Sequence, residues 1–209
     1  MDPVPPCQTI KNTYIAMRHG TSRANEEGLI VSDPLRGITK YGLSPRGEQE
    51  VRSAAIRAKN EKVLSAETVI IASDFARTRE TALIVSSLLE TQPVLFSASL
   101  RERFFGVWEG TADANYQEIW RDDARDASTA QKGVESVENV LRCATSLIED
   151  LERSSAGKTF LLVSHGDTLA ILSKAFRENP QYEKPLALHP AQIHALGTPG
   201  DIVCRAAGN

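Results

Sequence analysis

The chain has 209 residues, of which 41% are hydrophobic and 24% are charged, and its formal net charge is −3 at pH 7. This length and composition suit one globular domain over residues 1–209 with a substantial core. The small negative charge is unlike that of proteins that bind nucleic acids or membrane surfaces. No apolar run is long enough to span a membrane. We therefore expect that the protein binds neither nucleic acids nor membranes.

The cysteines of the chain are Cys7, Cys143 and Cys204, which have no close spacing and are odd in number. This pattern favours a reduced protein over a disulfide-bonded secreted one. The first residues also lack the basic start and the apolar stretch of a signal peptide. We therefore expect a cytoplasmic protein in which residues 1–11 form a flexible arm.

Predicted strands and helices alternate along the chain. Apolar, β-branched runs predict strands at residues 13–18, 68–72, 94–96, 159–164 and 191–196. Apolar residues at helical spacing predict helices at residues 45–60, 75–89, 134–151 and 167–176. Ser44 before Pro45 is a typical helix start. The alternation predicts an α/β fold, a three-layer α/β/α sandwich with a mainly parallel sheet.

Two segments depart from this alternation. Residues 20–41 are polar and contain several glycines, so we expect them to be mostly loop. Residues 101–132 are polar and carry charges of both signs. We expect residues 101–132 to form a small inserted cap segment over one edge of the sheet.

Two of the four histidines, His19 and His165, share one local context. Each follows an apolar strand-like run directly and is itself followed by a glycine, Gly20 or Gly166. Residues just beyond the carboxyl ends of parallel strands face the ligand crevice of such a sheet. We therefore expect the two imidazoles to belong to one reaction centre.

Cations and hydrogen-bond donors surround these histidines in the sequence. Arg18 precedes the first histidine, and Arg77 lies in the first turn of a predicted helix, where a cation opposes the helix dipole unless an anion binds there. Ser22 and Asn25 add donors within one loop. Such a pocket suits a phosphoryl group.

Five segments resemble the motifs of the histidine phosphatase (phosphoglycerate-mutase-like) superfamily, in the order in which the family has them. They cover roughly residues 13–170, and they read RHGTSRAN at 18–25, LSPRGEQ at 43–49, SDFARTRETA at 73–82, LRERFFGVWEG at 100–110 and VSHG at 163–166. The resemblance implies a phosphoglycerate-mutase-like fold and a phosphatase that needs neither a metal nor a cofactor.

The resemblance also implies roles for individual residues. His19 would attack phosphorus and become a phosphohistidine. Arg18, Arg77 and His165 would hold the phosphoryl oxygens. Glu102 would act as the general acid. The residues expected to bind substrate are Arg18, Ser22, Asn25, Arg77, His165 and Gly166.

Several assignments have competitors in the sequence. Glu109 lies in the same segment as Glu102, and Asp167 follows the second histidine motif and adds a carboxylate near the phosphate site. His189 and His194 have no chemical neighbours in sequence and are expected to be structural. A zinc site formed by the four histidines is not expected, because no pair has ligand spacing and no cysteine joins them.

The family contains mutases as well as phosphatases. The mutases carry a longer insertion with adjacent arginines. In this chain, residues 111–131 contain Arg121 and Arg125, which are not adjacent. The mutases also tend to close the site with a C-terminal tail, and residues 200–209 offer only a short one. We therefore expect a phosphomonoesterase of the phosphatase branch.

The expected substrate is a small phosphorylated metabolite, such as a phosphoglycerate, a sugar phosphate or fructose 2,6-bisphosphate. The alternatives are a cofactor-dependent phosphoglycerate mutase, a protein phosphatase and a non-catalytic scaffold. A homodimer is compatible with the sequence.

Overall fold

A five-stranded sheet forms the centre of the computed structural model, which describes residues 7–126, 128, 130–176 and 186–204. Its strands stand in the order β4-β3-β5-β2-β6, and all neighbours are parallel except β6, which runs antiparallel to β2. The strands are β2 (Thr13–Arg18), β3 (Val69–Ala72), β4 (Leu95–Phe96), β5 (Thr159–Ser164) and β6 (Ile193–Gly197).

The α-helices of the described ranges are α1 (Arg23–Glu26), α2 (Pro34–Gly37), α3 (Pro45–Asn60), α4 (Ala76–Leu89), α5 (Tyr116–Asp123), α6 (Val137–Ser154) and α7 (Gly166–Ser173). Four of them cover the two faces of this sheet. On one face α3 and α4 bury Val51 and Val85 in a core with β2 and β5. On the other face α6 and α7 bury Ile148 and Leu172 in a second core. The predicted three-layer α/β/α fold is therefore confirmed.

Local signals account for most element boundaries. The Ser44 hydroxyl accepts a hydrogen bond from the amide of Gly47 at 3.2 Å, so α3 begins where the sequence predicts. Helix α6 begins three residues later than predicted, because Ser136 caps it by accepting from the Asn139 amide at 3.1 Å. Val134 is buried instead in a small core with Phe105.

The segments that depart from the alternation contain short helices. Residues 20–41 hold α1 and α2, whose N-caps are Ser22 and Asp33. The cap segment, residues 101–132, contains α5, and Ile119 on this helix packs against Ile30. No helix in the described ranges combines the length and the apolar character that crossing a membrane requires.

The chain termini correct two predictions. Cys7–Thr9 (β1) pairs antiparallel with Ile202–Cys204 (β7), and Ile10 is 1% exposed, so residues 7–10 are not a flexible arm. Residues 1–6 of the predicted arm lie outside the described residues. Cys7 and Cys204 form a disulfide, so the expectation of three reduced cysteines is wrong for this pair, and Cys143 is free. The two cysteines are 197 positions apart, so their spacing in the sequence does not predict that they pair.

The disulfide should stabilise the fold, because it closes nearly the whole chain into one loop and so restricts the unfolded state. We expect Cys7→Ser to lower the free energy of unfolding by about 3 kcal/mol. Guanidinium unfolding of the oxidised protein measures this difference. Cys143→Ser, which leaves the disulfide intact, is the matched control and should change stability far less. Equal stability of parent and Cys7→Ser would contradict the stabilising role.

Candidate active site

The carboxyl ends of three neighbouring strands bring the predicted residues together. Strand β5 lies between β2 and β3, so the residues that follow these strands meet at one edge of the sheet. The rings of His19 and His165 have centroids 5.3 Å apart. Arg77 Nε lies 3.1 Å from His19 Nε2 and 3.2 Å from His165 Nδ1. The predicted meeting of both histidines with Arg77 is therefore present.

Two arginine nitrogens at this edge are buried without a hydrogen-bond acceptor in the described part of the chain, namely Arg18 Nε and Arg77 Nη1. Both guanidinium groups are held by main-chain carbonyls: Arg18 Nη1 donates to Leu188 O at 2.8 Å and Arg77 Nη2 to Val31 O at 2.9 Å. Buried donors without acceptors are costly, and charged ones more so. An anion in the crevice would satisfy them.

His19 is a neutral imidazole with a defined tautomer. Burial, followed by the charges of Arg77 and Arg18, places the pKa of His19 well below its usual range. Its Nδ1 lies 2.7 Å from the carbonyl oxygen of Gly20, which can only accept, so Nδ1 carries the proton. Nε2 therefore keeps its lone pair, which is the state that a nucleophile requires.

His165 is neutral for the same reasons, since burial and then Arg77 lower its pKa. Its Nε2 lies 3.0 Å from the hydroxyl of Ser73. A hydroxyl donates or accepts, so Ser73 can serve either tautomer of His165. With Nδ1 as acceptor the ring binds Arg77, and with Nδ1 as donor it can bind an anion. Sequence reasoning gave Ser73 no role, although it lies within a matched motif.

The other predicted binding residues also border the crevice. Ser22 and Asn25 form the capping box of α1: the Asn25 Oδ1 accepts from the Ser22 amide at 3.0 Å and from its hydroxyl at 2.9 Å. Because Oδ1 is engaged by Ser22, Nδ2 is the group of the Asn25 amide that can donate to an anion. Gly166 opens α7, where a Cβ atom would lie 3.3 Å from the guanidinium carbon of Arg18.

Glu102 lies in the wall of the same crevice. Its Oε1 accepts from the Arg103 amide at 3.1 Å and from the hydroxyl of Thr168 at 3.2 Å. Burial, and then the negative charge of Asp167, raise the pKa of Glu102 to about 7. A carboxyl group with this pKa can give and take a proton near neutral pH.

The competing carboxylate Glu109 is used elsewhere. Its Oε2 accepts from the Ser32 amide at 2.7 Å, from the Ser32 hydroxyl at 2.8 Å and from the Asp33 amide at 3.1 Å. Its Oε1 faces Arg36 at 3.6 Å. Glu109 thus holds the loop before α2 and does not line the crevice.

Asp167 is not a free carboxylate beside the phosphate site. Arg103, which is 1% exposed, donates to Asp123 at 2.5 and 2.7 Å and to Asp167 at 3.3 Å. Trp120 Nε1 donates to Asp167 Oδ1 at 3.0 Å. This network joins the cap segment to the start of α7. Sequence reasoning missed Arg103 and Asp123, whose partners are distant in sequence.

The remaining histidines lie apart from the crevice. His194 is exposed on β6 opposite Ala16, and His189 is exposed next to that strand. Neither lines the cavity. Across the described ranges no group of three or more His, Cys, Asp or Glu side chains has an arrangement that could hold a metal ion.

A cavity of about 680 Å³ is lined by most of the predicted site residues, namely Arg18, His19, Ser22, Asn25, Arg77, Glu102 and Gly166. His165 is fully buried and is not among the residues that line this cavity. Its lining joins the strand-end residues to side chains of the cap segment, including Tyr116 and Trp120. A volume of this size accommodates a small organic ligand in addition to a phosphoryl group. Burial, and then the charge of Glu102, raise the pKa of Tyr116, so this phenol is neutral.

Comparison with known proteins decides the family. The model of the histidine phosphatase superfamily (branch 1) matches residues 14–201. The chain belongs to the histidine phosphatase superfamily. Apart from Thr13, the match includes every residue of the central sheet and all the predicted site residues.

This histidine phosphatase resembles some proteins that are named as phosphoglycerate mutases and others that are named as phosphatases. The probable phosphoglycerate mutase GpmB of Photorhabdus laumondii is 30% identical over 162 residues, which cover 75% of this chain and 70% of that protein. Its Escherichia coli counterpart is 29% identical over 183 residues, covering 85% and 80% of the two chains. The mycobacterial glucosyl-3-phosphoglycerate phosphatase, solved with VO3, has a TM-score of 0.70 at 24% identity over 87% of this chain and 90% of that chain. This last likeness shows a shared fold.

Arg103 should be important for the stability of this histidine phosphatase. Arg103→Met leaves Asp123 and Asp167 without their shared cation, and we expect a loss of about 3 kcal/mol in the free energy of unfolding. Arg121→Met is the control, because the Arg121–Glu118 pair is more than half exposed on both sides and should contribute less than about 0.5 kcal/mol. Urea unfolding of the variants measures both, and equal losses would contradict this account.

Proposed function

We propose that the protein is a metal-independent phosphomonoesterase that hydrolyses a small phosphorylated metabolite through a phosphohistidine. One observation carries the proposal. The lone pair of His19 Nε2 lies in a crevice where Arg18 Nε and Arg77 Nη1 are buried without acceptors among the described residues. A nucleophile beside unsatisfied cationic donors suits attack on an anionic, tetrahedral phosphoryl group.

The first step transfers the phosphoryl group to the protein. His19 Nε2 forms a bond to phosphorus, and the bond from phosphorus to the ester oxygen breaks. Arg18, Arg77 and His165 bind the non-bridging oxygens, and Asn25 Nδ2 completes the binding site. Ser22 holds the Asn25 amide in place. Glu102 gives its proton to the departing oxygen, which leaves as an alcohol.

The second step returns the protein to its starting state. Glu102, now a carboxylate, takes a proton from water as the water oxygen bonds to phosphorus. The bond between phosphorus and Nε2 breaks, and inorganic phosphate leaves. The arginines neutralise the phosphoryl charge throughout, a task that a metal ion performs in many other phosphoryl-transfer enzymes.

A phosphoglycerate mutase is the second candidate function, which the names of the sequence relatives favour. A mutase must also hold the carboxylate of phosphoglycerate. Among the described cavity-lining residues, Lys174 is the single cation that lies outside the phosphoryl site and the Arg103 network. This supports hydrolysis as the main activity. Isomerisation of 3-phosphoglycerate, coupled to enolase with and without 2,3-bisphosphoglycerate, distinguishes the two.

The predictions about cellular location, oligomeric state and the remaining alternative functions stay predictions. These are the cytoplasmic location, the homodimer, and the protein-phosphatase and scaffold alternatives. The Cys7–Cys204 disulfide weakens the argument for a reducing compartment, because that argument took all cysteines as reduced.

His19 should be required for activity. We expect His19→Ala to lower kcat/KM for p-nitrophenyl phosphate by about 10³-fold or more, because no other imidazole lines the cavity within the described residues. Phosphate release in the presence of EDTA measures this. His194→Ala, an exposed histidine on β6, is the matched control and should keep parent activity. Activity that survives His19→Ala, or that EDTA abolishes in the parent, would refute the proposal.

The pH dependence should report Glu102. Leaving-group protonation needs the acid form of Glu102, whose pKa is raised to about 7, so kcat/KM for an alkyl phosphate should fall as the pH rises through this value. Asp167→Asn removes a negative charge that raises this pKa and should move the fall to lower pH. Glu102→Gln should abolish the fall and reduce kcat/KM by about 10²-fold.

The leaving group provides the control for this prediction. Hydrolysis of p-nitrophenyl phosphate, whose phenolate leaves without a proton, should be far less sensitive to Glu102→Gln in the phosphoryl-transfer step. The ionisation of the substrate phosphate affects all variants alike. If kcat/KM of Glu102→Gln for the alkyl phosphate still falls at alkaline pH as it does in the parent, the general acid is another group.

A further inference from the structure

We infer that the substrate's leaving group is an uncharged alcohol with an apolar or aromatic body, and not a second anionic group. This inference rests on the proposed phosphatase activity and narrows its substrate class. It disfavours phosphoglycerates and bisphosphates, which the family resemblance alone leaves open. The residues that support it line the part of the cavity outside the phosphoryl site.

Apolar side chains make up much of that lining. Six of them come from four separate parts of the chain: Leu29, Val31, Val137, Ile171, Leu186 and Leu188. Val31, Val137, Ile171 and Leu188 are each buried in the fold, so their positions are set by packing. An apolar ligand body gains free energy by displacing water from such a surface, whereas a charged one loses hydration there.

Two aromatic rings of α5 add a rigid wall. Tyr116 and Trp120 stack with centroids 5.5 Å apart and planes at 11°. Phe105 packs edge-on against Tyr116 at 5.0 Å, and the hydrogen bond from Trp120 Nε1 to Asp167 fixes the indole. Trp120 nevertheless remains 49% exposed. An exposed indole held in place at a cavity wall offers a preformed surface for an apolar or aromatic group.

The charges of the remaining lining oppose a second anion. Arg103 is neutralised by Asp123 and Asp167, which themselves line the cavity. Asp113 adds another carboxylate to the lining. Against these, Lys174 is the one further cation among the described lining residues. A carboxylate or a second phosphate on the leaving group would therefore meet more negative than positive charge.

The reaction itself is the hydrolysis proposed above: a monoester ROPO₃²⁻ and water give ROH and HPO₄²⁻. The inference concerns only R. To separate binding of R from the reactivity of the ester, the test compares primary alkyl esters, whose alcohols leave with similar difficulty. Suitable probes are 2-phenylethyl phosphate, glycerol 3-phosphate and 3-phosphoglycerate.

We expect kcat/KM for 2-phenylethyl phosphate to exceed that for 3-phosphoglycerate by at least about tenfold and to exceed that for glycerol 3-phosphate by a smaller factor. Trp120→Ala should reduce the ratio of 2-phenylethyl to glycerol ester, and Trp120→Phe, which keeps an aromatic ring but loses the indole N–H, should largely preserve it. Because each ratio is taken within one variant, loss of folded protein cancels.

A charge-gain variant tests the electrostatic part. Leu186→Arg places a cation in the lining and should raise kcat/KM for 3-phosphoglycerate relative to 2-phenylethyl phosphate. Leu95→Arg, at an exposed position of β4 outside the cavity, is the control and should leave the ratio unchanged.

Two outcomes separate this inference from the proposed function. If the parent hydrolyses 3-phosphoglycerate or glycerol 3-phosphate as well as 2-phenylethyl phosphate, and does so through His19, the inference is overturned and the phosphatase assignment stands. If no ester, p-nitrophenyl phosphate included, is hydrolysed in a His19-dependent manner, the proposed function itself is overturned.

Discussion

The guanidinium of Arg77 is buried between two neutral imidazoles, and the character of the site depends on this arrangement. Among the described residues it forms no ion pair, and its acceptors are ring nitrogens of His19 and His165 and the carbonyl of Val31. Burying an unpaired charge costs several kcal/mol. The fold tolerates it because packing on both faces of the sheet fixes the strand ends. The result is a crevice with positive potential that favours an anion.

Burial, and then the same cation, lower the pKa of both histidines and keep them neutral, and hydrogen bonds separate their functions. The Gly20 carbonyl fixes the proton of His19 on Nδ1, so Nε2 is unprotonated and accepts from Arg77 Nε. The Ser73 hydroxyl can serve His165 in either tautomer. A second buried arginine, Arg103, acts at the other wall, where Asp167 both binds this cation and raises the pKa of Glu102. Arg77 thus contacts both histidines at the anion site, while Arg103 binds the carboxylate that influences the acid.

The sequence predicts the parts of this arrangement that have local signals. The apolar runs before His19 and His165, the Ser44-Pro45 start of α3 and the periodicity of α6 each lie within a short window, and the sheet and the meeting of the histidines follow from them. The pairing of Cys7 with Cys204 and of Arg103 with Asp123 and Asp167 depends on tertiary contacts. The spacing of these residues in the sequence does not predict such pairs, so the sequence alone indicated that Asp167 is an unpaired carboxylate.

His19 Nε2 is the proposed acceptor of the phosphoryl group, and trapping of the phosphohistidine is the direct test of this role. In Glu102→Gln, p-nitrophenyl phosphate should still transfer its phosphoryl group, because nitrophenolate leaves without a proton, while hydrolysis of the intermediate is slowed. Rapid quenching in base followed by mass spectrometry should find close to one phosphoryl group per protein, on Nε2 of His19. Nitrophenol release without any phosphoprotein, or a phosphoryl group on another residue, would contradict the account.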